Sequence, residues 1–113
     1  MPKPTVLTPA LLSGFVRAHR FVLVHFGAAW NGHDTRMAEI IESQIPNNLA
    51  HKIAFATFDV DQVGHREICL KHEIRNIPFL AFYRDGSLIR SNTGLLAPDA
   101  LIEHLNQLRN PQS

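Results

Sequence analysis

Sulfur is scarce in this chain, and that scarcity decides more than any other feature. Cys69 is the one cysteine among 113 residues. An intrachain disulfide is therefore excluded, and so is any reaction that cycles two thiols of one molecule. A disulfide-built secreted domain is excluded with it. Long apolar runs are missing too, and nothing approaches the roughly 20 residues that cross a bilayer as a helix. Charge of one sign is not in excess. Eleven Lys and Arg against ten Asp and Glu leave a formal +1. The basic residues are scattered, so no overall field favours nucleic acid or an anionic membrane. Met1-Pro2-Lys3-Pro4 has no apolar segment behind it, which reads against a secretory signal. A cytoplasmic setting is the expectation.

What remains is ample for a core: 45% of residues are hydrophobic. The length fits one domain, residues 1–113. The seven histidines read mostly as solvated surface, and they would raise the net charge as pH falls below about 6.5. Thr8 before Pro9 marks a helix start, a hydroxyl cap followed by proline where no N–H is needed. Leu11, Leu12, Phe15 and Val16 give that helix one apolar face over residues 9–19. Residues 21–26 form a nearly continuous apolar run, as in a strand covered on both faces. Met37, Ile40 and Ile41 then keep helical spacing. Residues 53–58 predict the next strand and 63–72 a helix with Ile68 and Cys69 on its buried side. Residues 79–83 and 87–91 flank Asp85-Gly86 and predict a hairpin. Leu101, Ile102, Leu105 and Leu108 mark a closing amphipathic helix. Read as βαβαβ followed by ββα, the order gives an α/β sandwich. A central mixed sheet of four to five strands is flanked by helices on both faces.

The apolar strand runs into Ala28-Ala29-Trp30, followed by Asn31-Gly32-His33-Asp34. Further on stand Asp59-Val60-Asp61, Ile74-Arg75-Asn76-Ile77-Pro78 and Thr93-Gly94. In this order the chain resembles the thioredoxin family along almost its whole length, with both motif cysteines replaced. The tetrapeptide 31–34 stands where a thioredoxin carries Cys-Gly-Pro-Cys. The resemblance implies a cis bond before Pro78, opposite the motif, where exposed backbone pairs with an extended partner segment. Trp30, Ile77, Pro78, Thr93 and Gly94 are the matching partner-binding positions. Asn31 and Asp34 replace both sulfurs, His33 the usual proline, and Glu39 the proline that kinks the following helix. His25 takes the place of the family's buried aspartate, which assists deprotonation of the second cysteine.

Dithiol–disulfide oxidoreductase activity is therefore not expected, although the resemblance lies with proteins of cell redox homeostasis. Asn31 reads as a helix N-cap, with Asp34 three residues on able to bond back to the cap and to sit in the positive end of the helix field. The matched positions also place Asp34 beside His25 as a buried polar pair. His25, His33 and Asp34 are ligand types that suit zinc. They form no known ligand signature, and His25 should lie inside while His33 faces solvent. No metal and no cofactor are expected. No nucleophile accompanies His25 and Asp34, since Thr35 falls inside the first helical turns. Cys69 reads as a small buried helix residue. The leading expectation is a redox-inactive module that binds a protein or peptide, with no nucleic acid and no membrane among its partners. Two alternatives stand beside it: a thiol–disulfide oxidoreductase-related protein acting through Cys69, and an assembly-factor subunit of a larger complex. The sequence indicates no oligomeric state.

Overall fold

The computed structural model describes residues 2–110. Its sheet has five strands: β1 (Thr5–Leu7), β2 (Phe21–Gly27), β3 (Ala54–Asp59), β4 (Phe79–Arg84) and β5 (Ser87–Thr93), in the spatial order β1-β3-β2-β4-β5. The first three are mutually parallel. β4 runs antiparallel to β2, and β5 antiparallel to β4. The helices are α1 (Pro9–Ala18), α2 (Gly32–Ser43), α3 (Asn47–Ala50), α4 (Arg66–Lys71) and α5 (Pro98–Arg109).

β2 is central, and its apolar run is explained by cover on both sides. Val22, Val24 and Phe26 face one core with Leu12 and Val16 of α1, against which Ile68 of α4 also packs. Leu23 faces the other core with Met37, Ile40 and Ile41 of α2 and Leu101, Leu105 and Leu108 of α5. Side chains alternate along a strand, so His25 and Gly27 lie on the Leu23 face. That places them under the start of α2. The β4–β5 turn takes positive φ at Asp85 and Gly86 (51° and 84°), the combination that Asp-Gly supplies in a tight hairpin.

Several expectations need correction. The element order is βαβααβαββα, because Pro46 cannot continue α2 and the chain restarts as the short α3. β1 is three residues long with only Leu7 buried, too short to show a period. α4 begins at Arg66 rather than residue 63. Gly64 adopts φ 89°, off the helical path, and Val63 is 97% exposed. No residue of α4 is fully buried, so Ile68 and Cys69 are only half-covered. Leu11 is exposed and leaves the α1 face to Leu12, Phe15 and Val16. Thr8 stands at the cap of α1, but its hydroxyl makes no capping bond. Only three of the seven histidines are exposed: His19, His33 and His51.

Tyr83 ends the β4 contribution to the α1-side core, and its hydroxyl is buried with no hydrogen-bond partner among the described residues. Burial pushes that hydroxyl up to about 12. The folded state thus holds a proton that the unfolded chain releases near 10. Stability then falls as pH rises through that window. Tyr83→Phe removes an unpaired polar atom at nearly constant shape. We expect unchanged or higher stability at pH 7, by up to about 1 kcal/mol, and a weaker decline between pH 10 and 12. Urea unfolding at several pH values checks both.

Candidate functional site

Asn31 adopts an extended backbone at the cap of α2, and its Oδ1 accepts from the N–H groups of His33 and Asp34 at 2.9 and 3.3 Å. Two of the helix's orphan donors are satisfied in this way. His33 points to solvent. Asp34 does not bond back to the cap as its spacing suggested. It is only 4% exposed and turns inward. Its Oδ2 accepts from the Ala28 N–H at 3.2 Å, and its Oδ1 lies 2.8 Å from His25 Nε2. His25 is itself 5% exposed. An ionised carboxylate only accepts, so Nε2 carries the proton of this bond. A backbone amide and an imidazole together supply what a buried carboxylate requires.

The pair depends on a residue that sequence reasoning passed over. A Cβ on Gly27 would lie 2.3 Å from Asp34 Oδ1 and 2.9 Å from His25 Nε2. Only glycine lets the carboxylate cross above β2 to reach the imidazole. A signal existed: a lone glycine closing an apolar strand often marks a close approach. The pair forms part of the wall of a cavity of about 460 Å³, with Ala28, Thr57 and Phe58 beside it and the carboxylates of Glu39 and Glu42 also on its lining.

On the other side of the motif, Trp30 is 71% exposed. Its indole Nε1–H donates to Asp61 Oδ2, and the Asp61 N–H bonds Asp59 Oδ1 at 2.9 Å, so the Asp-Val-Asp segment holds the ring in place. A groove of about 440 Å³ runs past Trp30, Asn31, Val60, Cys69, Ile74 and Ile77. The Ile77–Pro78 peptide is cis. Gly94 N–H donates to Pro78 O at 2.7 Å, and Thr93 pairs with Phe79 across the sheet. Of the five matched positions, Trp30 and Ile77 line this groove; Pro78 follows Ile77 through the cis bond, and Thr93 and Gly94 are tied to Phe79 and Pro78. No hydrogen bond engages the Ile77 N–H or C=O among the described residues.

Cys69 lines the same groove instead of lying in the core. Its short, half-exposed helix accounts for the difference. Burial pushes the thiol up, and the Asp61 carboxylate adds to the effect. The thiolate, the nucleophilic form, is thereby disfavoured. His65 is a further buried histidine in a set that read mostly as surface. Its Nδ1–H donates to Asp59 O at 2.6 Å, and its ring packs on Phe58 with centroids 4.5 Å apart. That contact braces the Asp-Val-Asp segment. No group of three or more metal-ligating side chains occurs among the described residues.

The crowded pair generates a coupled prediction. Asp34→Ala leaves the His25 imidazole and the Ala28 N–H unpartnered and should cost about 1–3 kcal/mol. Gly27→Ala should cost about 1–3 kcal/mol through overpacking. Because the Asp34 carboxylate is the nearest obstacle to the new methyl group, the two costs should fall short of adding in the double variant. Urea midpoints of the four proteins measure this. Strict additivity would separate the glycine from the pair.

A family profile described as thioredoxin matches residues 4–107. Among curated proteins, a protein disulfide-isomerase of Zea mays is 29% identical over 101 residues, 87% of this chain and 20% of that protein. Protein disulfide-isomerase 1 of Dictyostelium discoideum is 26% identical over 104 residues, 89% of this chain and 28% of that protein. The chain thus spans between a fifth and under a third of these relatives. Among solved structures, a Plasmodium falciparum thioredoxin superposes with a TM-score of 0.78 at 26% identity, covering 91% of this chain and 97% of that one. A thioredoxin variant from Halobacterium salinarum gives 0.81 at 24% identity, covering 94% and 90%. With its profile spanning nearly the whole sequence and its five-stranded sheet matched in solved thioredoxins, this chain belongs to the thioredoxin family.

Proposed function

We propose that this chain is a redox-inactive thioredoxin-family module that binds an extended segment of a protein or peptide. The observation that carries the reading is the contrast between the two sides of Trp30. On the motif side, the positions a dithiol would need hold Asn31 and Asp34. Both side chains are committed, one to capping α2 and the other to His25. On the groove side, the Ile77 backbone is unpaired beside an exposed tryptophan. Backbone pairing gives affinity to an added strand, and an aromatic anchor gives it further contact. Neither requires sulfur.

Residues 1–113 act as one binding unit in this reading, and the single cysteine suits a cytoplasmic setting. No described helix is long and apolar enough to cross a membrane. The alternative of thiol chemistry at Cys69 draws support from its place in the groove. The disfavoured thiolate and the absence of a second thiol weigh against it.

Insulin reduction followed by turbidity should stay at the uncatalysed rate. Turnover that disappears in Cys69→Ser would reject the reading and promote the thiol alternative. Selection of a random peptide library on immobilised protein should enrich sequences whose binding shifts the backbone amides of Ile77 and Gly94. Trp30→Ala should weaken the best of them at least tenfold. Peptides indifferent to Trp30→Ala, or no enrichment over a bare support, would count against the groove. Native mass spectrometry of protein purified from its own cells then distinguishes a transient client from a fixed subunit of an assembly.

A further inference from the structure

A third concavity lies between α5 and the β4–β5 hairpin, built of different residues from the motif cavity and the groove. It holds about 280 Å³ and is lined by Phe82, Arg84, Arg90, His104, Gln107 and their neighbours. The sheet register explains its chemistry. Arg90 is directly opposite Phe82 in the β4–β5 ladder. Arg84, two residues along β4 from Phe82, shares its face, the one α5 covers. His104 of α5 meets the Phe82 ring edge-on, with centroids 5.6 Å apart. Arg90 Nη1 donates to Gln107 Oε1 at 2.9 Å, which holds the guanidinium over the hollow.

Arg84 and Arg90 bring two positive charges to this hollow, and Glu103, beside His104, is a carboxylate that acts on it from outside its lining. Neither Arg84 nor Arg90 forms an ion pair with a described carboxylate. Arg84 Nε and His104 Nδ1 are both buried without a hydrogen-bond partner. Buried polar groups are ordinarily satisfied. Those two nitrogens are closed off from the concavity as well as from solvent, but Arg84 and Arg90 line it with no carboxylate among the described lining residues, a basic hollow that an anion from outside the chain would neutralise. We propose that this concavity is an oxyanion site that takes the phosphate of a small phosphomonoester.

The donor set fits that chemistry. Guanidinium groups match phosphate oxygens with fork geometry and always carry charge. A protonated imidazole adds a third donor. The volume is just below that of sites for drug-sized ligands, so a phosphoryl group with a few carbons fills it. A carboxylate would meet the same donors with half the charge. The state of His104 agrees with a site awaiting an anion. Burial and the nearby Arg90 charge pull its imidazole below the ordinary range, opposed by Glu103. A bound dianion reverses the local field and favours the imidazolium.

The test is an NMR titration of the full chain at constant ionic strength, reading the Arg84 and Arg90 Nε–H signals and the His104 ring. Inorganic phosphate and glycerol phosphate should each give saturable shifts. The His104 titration midpoint should move upward with phosphate present. Acetate should bind at least tenfold more weakly, and Arg90→Gln and Arg84→Gln should each weaken phosphate at least tenfold while retaining the wild-type amide spectrum elsewhere. Equal response to acetate and phosphate would overturn the phosphate assignment. Saturation by inorganic phosphate with exclusion of glycerol phosphate would overturn the monoester. Linear shifts, or binding unchanged in a folded Arg90→Gln or Arg84→Gln protein, would overturn the site.

Discussion

The His25–Asp34 hydrogen bond is the constraint around which the motif end of this molecule is arranged. It joins the middle of the central strand to the first turn of the helix that covers it. Both partners are almost fully buried, so neither tolerates the loss of the other. The bond dictates a glycine at 27, because the carboxylate crosses where a Cβ would stand. It also determines what Asn31 does. With Asp34 turned inward, the cap of α2 falls to Asn31, which serves two N–H groups at once. Three residues at the place of a dithiol thus form one structural unit: Asn31 closes the helix, Asp34 anchors it, and His25 receives the anchor.

This arrangement also explains why loss of sulfur leaves the scaffold intact. In the family pattern, the second cysteine and the buried acid lie close together beneath the motif. Here a carboxylate has taken the first position and an imidazole the second, so the contact between the two positions survives with different atoms. The substitution exchanges a group that can be oxidised for one that can only accept or share a proton. Structural coupling between β2 and α2 is kept, while the two thiols that dithiol exchange needs are not present at these positions. Separation of this kind is physically plain, because dithiol exchange needs two thiols and helix anchoring needs only a satisfied hydrogen bond.

The fold was largely legible because its determinants are local in sequence. The apolar run at 21–26, the Asp85-Gly86 turn and the spacing of Leu101, Leu105 and Leu108 each act within a few residues. The motifs around Trp30, Asp61, Pro78 and Gly94 carried the family. The His25–Asp34 contact was legible only through that resemblance, since no periodicity connects positions nine residues apart across a strand and a helix. What stayed hidden depends on distant chain segments. Gly27 matters because of an approach made by α2. His65 is buried because Asp59 O and Phe58 come to meet it. Cys69 lies in the groove because Gly64 delays α4 and leaves that helix only six residues to sink into the core. The basic hollow requires β4, β5 and α5 together, and none of those segments carries a charge run.

That last case bears on how a near-neutral composition is read. A formal charge of +1 excludes a strong overall field, yet it says nothing of how charge is sorted over the surface. In this fold the sorting is pronounced. Asp34, Asp59, Glu39 and Glu42 all line the cavity beside the motif. Arg84, Arg90 and His104 line the hollow under the hairpin, with no carboxylate among the described residues on its walls. Fields from such clusters are screened over about a Debye length, ~8–10 Å at physiological salt. Each concavity therefore acts on what enters it with its own sign, not with the average of the chain. A molecule that sums to nearly zero can hold a cationic site and an acidic one at once. Net charge, which at the level of the whole chain gives no overall field favouring nucleic acid, has no authority over a ligand small enough to see only one of them.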